Sequence, residues 1–281
     1  MAQKKILFAV FCYNRPAVLE NCLQSIADLC PEASVRIFDD NSSHPGMPGV
    51  FEKFGYPVEN GPGGSGRHGG LYQNMQRAFE AAVDEGYDYF LTLQDDAQMV
   101  RPLSQEIIDE YQAVFDADEN LVQIDPRFAR LPGSQIEICN DVKAFEDVNP
   151  RFRHYVDMGF FHVARLHKLG WSFSVENLVV PGEVTKAAEA AKLGMRKVSA
   201  FTPVLMHVPF PDLYRNRIRL PRLSSFARKV FRFDYMSEEE MAEMDARPLA
   251  EPPLFRKYLR LSNLTRFDRF LLRGKDDSKI F

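Results

Sequence analysis

Two carboxylates stand side by side at Asp95-Asp96, directly after the apolar run Tyr89-Phe90-Leu91-Thr92-Leu93 and Gln94. Adjacent like charges at a strand end are unfavourable unless a cation or hydrogen-bond donors lie between them. Oxygen ligands of this kind suit Mg²⁺ or Mn²⁺, which take one or two carboxylates and complete their shell with water and substrate phosphates. A solvated turn with helix-capping aspartates accounts for the same pair. A second acidic cluster, Asp39-Asp40-Asn41-Ser42-Ser43, follows Val35-Arg36-Ile37-Phe38. Further along, Glu183 opens a helical segment and His207 follows Pro203-Val204-Leu205-Met206. A carboxylate there can take a proton or simply favour a helix N-terminus, and the histidine can ligate a metal or pack structurally.

Gly61-x-Gly63-x-x-Gly66 formally matches a dinucleotide fingerprint, but Pro62 interrupts it, Tyr56-Pro57-Val58 is a weak strand, and the first strand lacks glycines. No G-x-x-x-x-G-K-[ST] exists, which sets aside a P-loop. A glycine loop over a diphosphate, with Arg67 and His68 as contacts, and an ordinary surface loop are the two readings left. The cysteines Cys12, Cys22, Cys30 and Cys139 form no C-x-x-C pair, so they read as reduced thiols packed as small hydrophobes.

These residues need a frame that brings them together. Ile6 to Phe11 is an apolar run with the length of a strand buried on both faces, and Leu19, Cys22, Leu23, Ile26 and Leu29 repeat at helical spacing after Asn14-Arg15-Pro16. Val35–Phe38 is a second strand, Leu71 to Val83 a helix closed by Gly86, and Tyr89–Leu93 a third strand. A helix opening near Ser104, a short strand at Leu121–Ile124, apolar Met158–Val163, a helix from about Thr185 to Leu193 and a strand-like Val198–His207 complete the pattern. Alternating strands and helices predict a mainly parallel sheet covered on both faces, with ligands beyond the carboxyl ends of the strands. Asp39, Asp40, Asp95 and Asp96 all fall on that edge.

The order of these parts resembles the GT-A glycosyltransferases, in particular the family-2-like group that uses nucleotide-sugar donors, over roughly residues 5–210. Phe11-Cys12-Tyr13-Asn14-Arg15-Pro16 with Leu19, Leu23 and Ser25 looks like that group's "YNR-p-x-x-L-x-x-x-L-x-S" opening. Arg36 to Ser43 is similar to its "V-D-D-x-S" segment, whose aspartate contacts the donor base. The glycine loop with Arg67, Gly69, Gly70 and Asn74 sits where the group has "N-x-G-x-x-x-x-x-N", and Leu93-Gln94-Asp95-Asp96 falls at the D-x-D strand end. The resemblance implies donor binding by Phe11, Tyr13, Asn14, Arg15, Asp39, Asp40, Arg67, Asn74, Gln94 and Asp95, and Mg²⁺ or Mn²⁺ on Asp96 and His207. Gln94 departs from the pattern by holding the first acidic position, where it adds no charge to a metal site.

Gly182-Glu183-Val184, with Gly194 after a helix, resembles the group's "E-D" motif, so Glu183 takes the place of the catalytic base and inversion at the anomeric carbon is implied. Gly182 replaces the preceding glutamate. Trp171 in Leu169-Gly170-Trp171-Ser172-Phe173 is either the counterpart of the "G-G-F-d" turn under the acceptor or a core aromatic.

The chain has 281 residues, 45% hydrophobic and 26% charged, with a formal net charge of −4. That excludes disordered, collagen-like and disulfide-scaffold classes and disfavours nucleic acid as a partner. No stretch reaches the roughly 20 apolar residues of a membrane span, and the opening run is too short for a signal peptide, so a cytoplasmic protein is expected. The charge is uneven. Residues 1–210 carry 19 basic and 28 acidic side chains, net −9, and residues 211–281 carry 16 and 11, net +5.

A catalytic domain over 1–210 and a basic, amphipathic helical extension over 211–281 are therefore expected. Arginines interleaved with leucines and aromatics suit either an anionic membrane surface or packing on the catalytic domain or a second copy in a homodimer. The expected function is sugar transfer from a nucleotide diphosphate sugar to a hydroxyl of a glycan or lipid-linked acceptor in envelope polysaccharide biosynthesis. The alternatives are a nucleotide-sugar-binding protein without transfer activity and a sugar-phosphate nucleotidyltransferase.

Overall fold

The computed structural model describes residues 4–61, 70–130, 136–138, 142–147, 153–175, 182–208 and 230–262. In chain order the elements are β1 (Ile6–Cys12), α1 (Pro16–Leu29), β2 (Ser34–Asp39), α2 (Met47–Phe54), β3 (Val58–Asn60), α3 (Leu71–Asp84), β4 (Tyr89–Gln94) and β5 (Ala97–Met99). They continue with α4 (Gln105–Ala117), β6 (Leu121–Asp125), β7 (Ile136–Ile138), β8 (Ala144–Asp147), β9 (Gly159–His162), α5 (Val163–Lys168) and α6 (Gly182–Lys192). Last come β10 (Arg196–Ala200), β11 (Leu205–His207), α7 (Glu238–Asp245) and α8 (Phe255–Tyr258).

Nine strands form one sheet in the order β3-β2-β1-β4-β9-β6-β10-β8-β7, and β5 pairs with β11 in a separate ribbon. The pairs β3–β2, β2–β1, β1–β4 and β6–β10 are parallel. β9 runs antiparallel to both β4 and β6, and β8 antiparallel to β10, so the sheet is mixed and mostly parallel, as the strand–helix alternation predicts.

The alternation of side chains along β1 builds the two layers. Phe8, Val10 and Cys12 join the cluster under α1, α2 and α4, while Leu7, Ala9 and Phe11 join the one under α3, α5 and α6. A strand covered on both faces carries no polar side, which is why this run reads as continuously apolar. In α1, Pro16 stands at the first helical position, where its missing N–H costs nothing, and Val18, Leu19, Cys22, Leu23 and Ile26 form the buried stripe.

The chain leaves β1 toward β2 and β3 on one side and returns to β4 on the other. The β1/β4 boundary is therefore the switch point, the place where open α/β sheets bind ligands.

The expected strand Val198–His207 is two strands, β10 and β11, in different sheets. Pro203 lacks an N–H between them, and Thr202 turns aside to Glu110, its amide and hydroxyl donating at 3.2 and 3.0 Å. The helix expected from about Thr185 begins earlier, at Gly182.

Part of the sequence after residue 210 packs on the body. Phe231, Phe233, Met236, Met244, Phe255, Tyr258 and Leu259 share a buried cluster with Val100, Phe128 and Met206 of the β5/β11 region. Two anchors tie it down: Gln98 exchanges hydrogen bonds with the Phe233 backbone at 2.8 and 2.9 Å, and Arg101 grips Asp245 at 2.7 and 2.8 Å. The arginine-rich stretches 211–229 and 263–281 lie outside the described residues. Among the described residues, no helix is long and apolar enough to cross a membrane.

Candidate active site

At the carboxyl end of β1 the chain is locked to the loop after β2. Asn14 adopts a left-handed conformation, φ 55°, and its side-chain oxygen accepts from the amides of Ser43 and His44 at 2.7 and 2.8 Å. Its own amide donates to Ser42 Oγ at 2.8 Å. Ser42 in turn donates its amide (2.8 Å) and hydroxyl (2.5 Å) to the buried Asp39 carboxylate, and the Cys12 thiol approaches Asp39 Oδ1 at 3.3 Å. Burial and the neighbouring Asp39 push that thiol far above its usual range, so it stays neutral. Asp40 turns the other way and accepts from the Gly70 amide at 3.1 Å, at the N-terminus of α3. A side-chain carbon on Gly70 would stand 1.8 Å from Asp40 Oδ1, so only glycine admits this approach.

Across the switch point, Arg15 grips the wholly buried Asp95 with Nε to Oδ2 at 2.9 Å and Nη2 to Oδ1, and its Nη1 lies 3.6 Å from Asp96 Oδ2. Burial raises the Asp95 carboxyl, against the pull of Arg15 and the Tyr13 amide. Asp96 moves the opposite way: burial opposes ionisation, but the His207 hydrogen bond and the charges of His207 and Arg15 outweigh it and hold the carboxyl down at about 2. Asp96 is thus the carboxylate that stays ionised.

His207, from β11, completes a line across the edge. Its Nδ1 is 3.3 Å from Asp96 Oδ1, and its Nε2 is 2.9 Å from Arg127 Nη1. A guanidinium only donates, so Nε2 accepts and the ring proton belongs on Nδ1, facing Asp96. Arg127 is clamped on Asp125 through Nε (2.7 Å) and Nη2 (2.6 Å). Burial disfavours charge on Asp125, but Arg127 and Lys197 overcome it and lower the carboxyl below its ordinary value.

Near the start of α6 the Asp157 carboxylate accepts from Tyr72 Oη at 2.8 and 3.0 Å, while burial, and then the charge of Glu183, raise it.

Asp96, partly exposed, would offer a divalent cation an anionic oxygen; His207 would add a nitrogen only after the Nδ1 proton it directs at Asp96 has left. Among the described residues no group of three His, Cys, Asp or Glu gathers, so the remaining ligands would come from water and substrate oxygens.

No family model matches the chain, and no curated protein matches it. Solved structures do. The S. aureus TarS fragment 1–349 superposes with a TM-score of 0.51 at 16% identity, covering 72% of this chain and 60% of that one. A longer S. aureus TarS structure gives 0.51 at 16% identity over 74% and 37%. The mannosyltransferase PcManGT from Pyrobaculum calidifontis, in complex with GDP-Man and Mn²⁺, gives 0.46 at 15% identity over 73% and 57%.

The fold resembles GT-A structures. The chain spans less than two thirds of the length of either TarS chain. On this GT-A-like frame Phe11 is buried and packs at a tilt against Phe38, with ring centres 5.6 Å apart. Gln94 ends β4 opposite Phe11. Asn74 is buried behind the β2/β3 edge and accepts from Arg77 at 3.2 Å. Arg67 and His68 lie outside the described residues.

Trp171 is a core aromatic, buried against Tyr155 and Phe173 with ring centres 5.6 and 5.7 Å away. Sequence reasoning missed Arg127, Asp157 and Tyr72. Arg127 follows the strand-end pair Asp125-Pro126, and Asp157 precedes Met158-Gly159 at a strand start, so carboxylates and arginines flanking strand termini were the available signal.

Proposed function

We propose that this chain transfers a sugar from a nucleotide diphosphate sugar to a hydroxyl of a glycan or lipid-linked acceptor, with inversion at the anomeric carbon, in envelope polysaccharide assembly. The observation that supports this reading is the line Arg15–Asp96–His207–Arg127, which starts at the switch point and crosses to the end of β6.

In this reading Asp39 and Asp40, together with the Asn14 loop, hold the nucleoside. Gln94 faces the ribose, while Asp95, wholly buried, holds Arg15 in place beside it. Asp96 and His207 would hold Mg²⁺ or Mn²⁺, which when bound neutralises charge on the diphosphate. Arg15 and Arg127 place two permanent positive charges along the same edge. Glu183 accepts the proton of the acceptor hydroxyl as its oxygen bonds to the anomeric carbon. The arginine-rich segments 211–229 and 263–281 are assigned to an anionic membrane surface that presents the acceptor.

The test is sugar transfer by the full chain with Asp96→Ala and Glu183→Gln. Both variants should lose turnover, Glu183→Gln while still binding donor. Unchanged turnover in both would refute the assignment. A second reading, donor binding without transfer, is favoured by Gln94 and Gly182 at positions where the resembling group carries acids. Tight donor binding with no turnover over a panel of acceptors would establish it.

A further inference from the structure

Asp157 stands where the chain enters β9, two residues before Gly159. β9 runs antiparallel to β4 with Gly159 opposite Thr92, so Asp157 lies toward the end of β4 that runs out into Gln94-Asp95-Asp96. Two wholly buried polar side chains fasten the backbone around it. From β4, Thr92 Oγ1 donates to the Asp157 carbonyl at 3.0 Å and accepts from the Gly159 amide at 2.8 Å. From β6, Gln123 Nε2 donates to the carbonyls of Val156 and Met158 at 2.7 and 3.2 Å, and its Oε1 accepts from the Val156 amide at 3.2 Å.

The side chain is held as firmly as the backbone. Tyr72, in the first turn of α3, hydrogen-bonds both carboxylate oxygens, at 2.8 and 3.0 Å. Its ring fits because position 182 has no side chain: a carbon there would stand 2.0 Å from Tyr72 Cε2. Contacts thus tie Asp157 to the donor edge twice, through Thr92 to the strand that ends in Gln94 and through Tyr72 to the helix whose Gly70 amide Asp40 holds.

A carboxylate has about four lone-pair sites. The hydroxyls of Tyr72 and Tyr155 bring at most one proton each, and the side chain is partly exposed, so Asp157 can accept from about two more donors on a ligand. A mere tie between α3 and β9 needs no charge: an asparagine oxygen would accept from Tyr72 without the burial penalty that pushes this carboxyl up. No sequence motif marks Asp157, and the transfer scheme above does not use it.

We propose that Asp157 is a specificity-determining residue for the transferred sugar: its carboxylate, held at the end of β4 by Thr92, Gln123 and Tyr72, accepts hydrogen bonds from hydroxyls of the sugar on the nucleotide diphosphate donor. This rests on the reading of the chain as a nucleotide-sugar transferase, and not on the assignment of Glu183. A sugar that lacks the matching hydroxyl leaves a shielded carboxylate unpaired, which is how a single hydroxyl is read strongly. Tyr72 is a positioning residue that acts through Asp157 by fixing the direction of the carboxylate.

The test is calorimetric titration of the full chain at pH 8, above the value of about 7 to which the Asp157 carboxyl is raised. The probes are UDP-glucose, GDP-mannose and dTDP-glucose, each paired with UDP, GDP or dTDP alone. Asp157→Asn should bind the nucleotide sugar about 10- to 100-fold more weakly than wild type and the bare diphosphate equally well, the loss expected for a hydrogen bond to a charged acceptor. Among the 2-, 3-, 4- and 6-deoxy forms of the donor that binds, at least one should bind wild type as weakly as the parent binds Asp157→Asn. Asp157→Asn should not distinguish that form from the parent. Tyr72→Phe should show the same selective loss, smaller in size.

An equal loss for sugar and bare diphosphate, or no loss for either, would make Asp157 only a tie between α3 and β9 and overturn the proposal. A change confined to the KM of the acceptor would overturn it as well, by placing the carboxylate on the acceptor hydroxyl. If Asp157→Asn fails to fold, Tyr72→Phe decides the question, because it keeps the ring beside Gly182 and must still lose affinity for the sugar alone. Absence of nucleotide-sugar binding by wild type would remove the transferase reading and this inference together. Nucleotide-sugar binding that Asp157→Asn leaves intact would remove this inference alone.

Discussion

The two halves of the site handle their carboxylates in opposite ways. At the ends of β1, β2 and β4 each acid has a hydrogen-bonded partner, Asp39 in Ser42, Asp40 in the Gly70 amide and Asp95 in Arg15, although burial still raises the Asp95 carboxyl to about 7. Near the start of α6 burial, and then the charge of Glu183, raise the Asp157 carboxyl to about 7, with Tyr72 as its hydrogen-bond partner. The first group is tied down by arginine and backbone donors, which in the proposed reading hold a ligand in one pose; the second has its carboxylate beside tyrosine hydroxyls at the start of α6.

The largest effect that could break this contrast is kinetic. Glu183→Gln should lower transfer about 10²- to 10⁴-fold, the range for loss of a general base, and leave donor affinity as it was. A comparable loss of donor affinity would erase the division between the halves.

Next is the scaffold itself. Arg15→Ala leaves Asp95 buried without its ion-pair partner and should cost about 3–5 kcal/mol, read as a lower denaturation midpoint. Gly182→Ala presses a methyl group into the Tyr72 ring and should cost about 1–3 kcal/mol, with transfer impaired beyond the stability loss because Tyr72 releases Asp157.

Stability against pH sharpens the comparison because the signs differ. Asp125 is held below its ordinary value by Arg127 and Lys197, so its contribution is present above the unfolded carboxylate range and is lost as pH falls through the folded value. Asp125→Asn should therefore be destabilised at neutral pH by an amount that shrinks in acid. Asp157, raised from 3.8 to about 7, does the reverse: the folded state binds its proton more tightly, so stability falls as pH rises from about 4 to 7. Asp157→Asn should unfold at a higher temperature than wild type at pH 8, and the gap should close toward pH 4. The smallest expected effect is Ser42→Ala, about 1 kcal/mol for the hydroxyl's hydrogen bonds to Asp39 and from the Asn14 amide.

The same contrast explains what could be read from the sequence. β1 is a continuous apolar run, β4 nearly so and β2 alternates around Arg36, and each ends in its own acidic or polar signature, so the strands and the polar edge they carry were legible locally. β5 is three residues long and its pairing with β11 depends on a partner more than 100 positions away. β9 reads as apolar, but its antiparallel insertion between β4 and β6 is settled by packing that no local pattern encodes. Tyr72, Asp157 and Gly182 meet only because α3, the β9 entry and α6 converge. In the sequence Tyr72 is one more apolar position of an amphipathic helix, and Gly182 a lapse in a motif.

The central claim, a nucleotide-sugar transferase with a donor edge and a separate acceptor base, is tested most directly by calorimetric titration. UDP, GDP, dTDP and CMP sugars would be titrated into wild type, Asp96→Ala and Glu183→Gln, each with and without Mn²⁺. The account predicts that one donor class binds wild type and Glu183→Gln alike, more tightly with Mn²⁺, and that Asp96→Ala loses the Mn²⁺ effect. Absence of binding by every nucleotide sugar, or binding that Asp96→Ala leaves untouched, would contradict it.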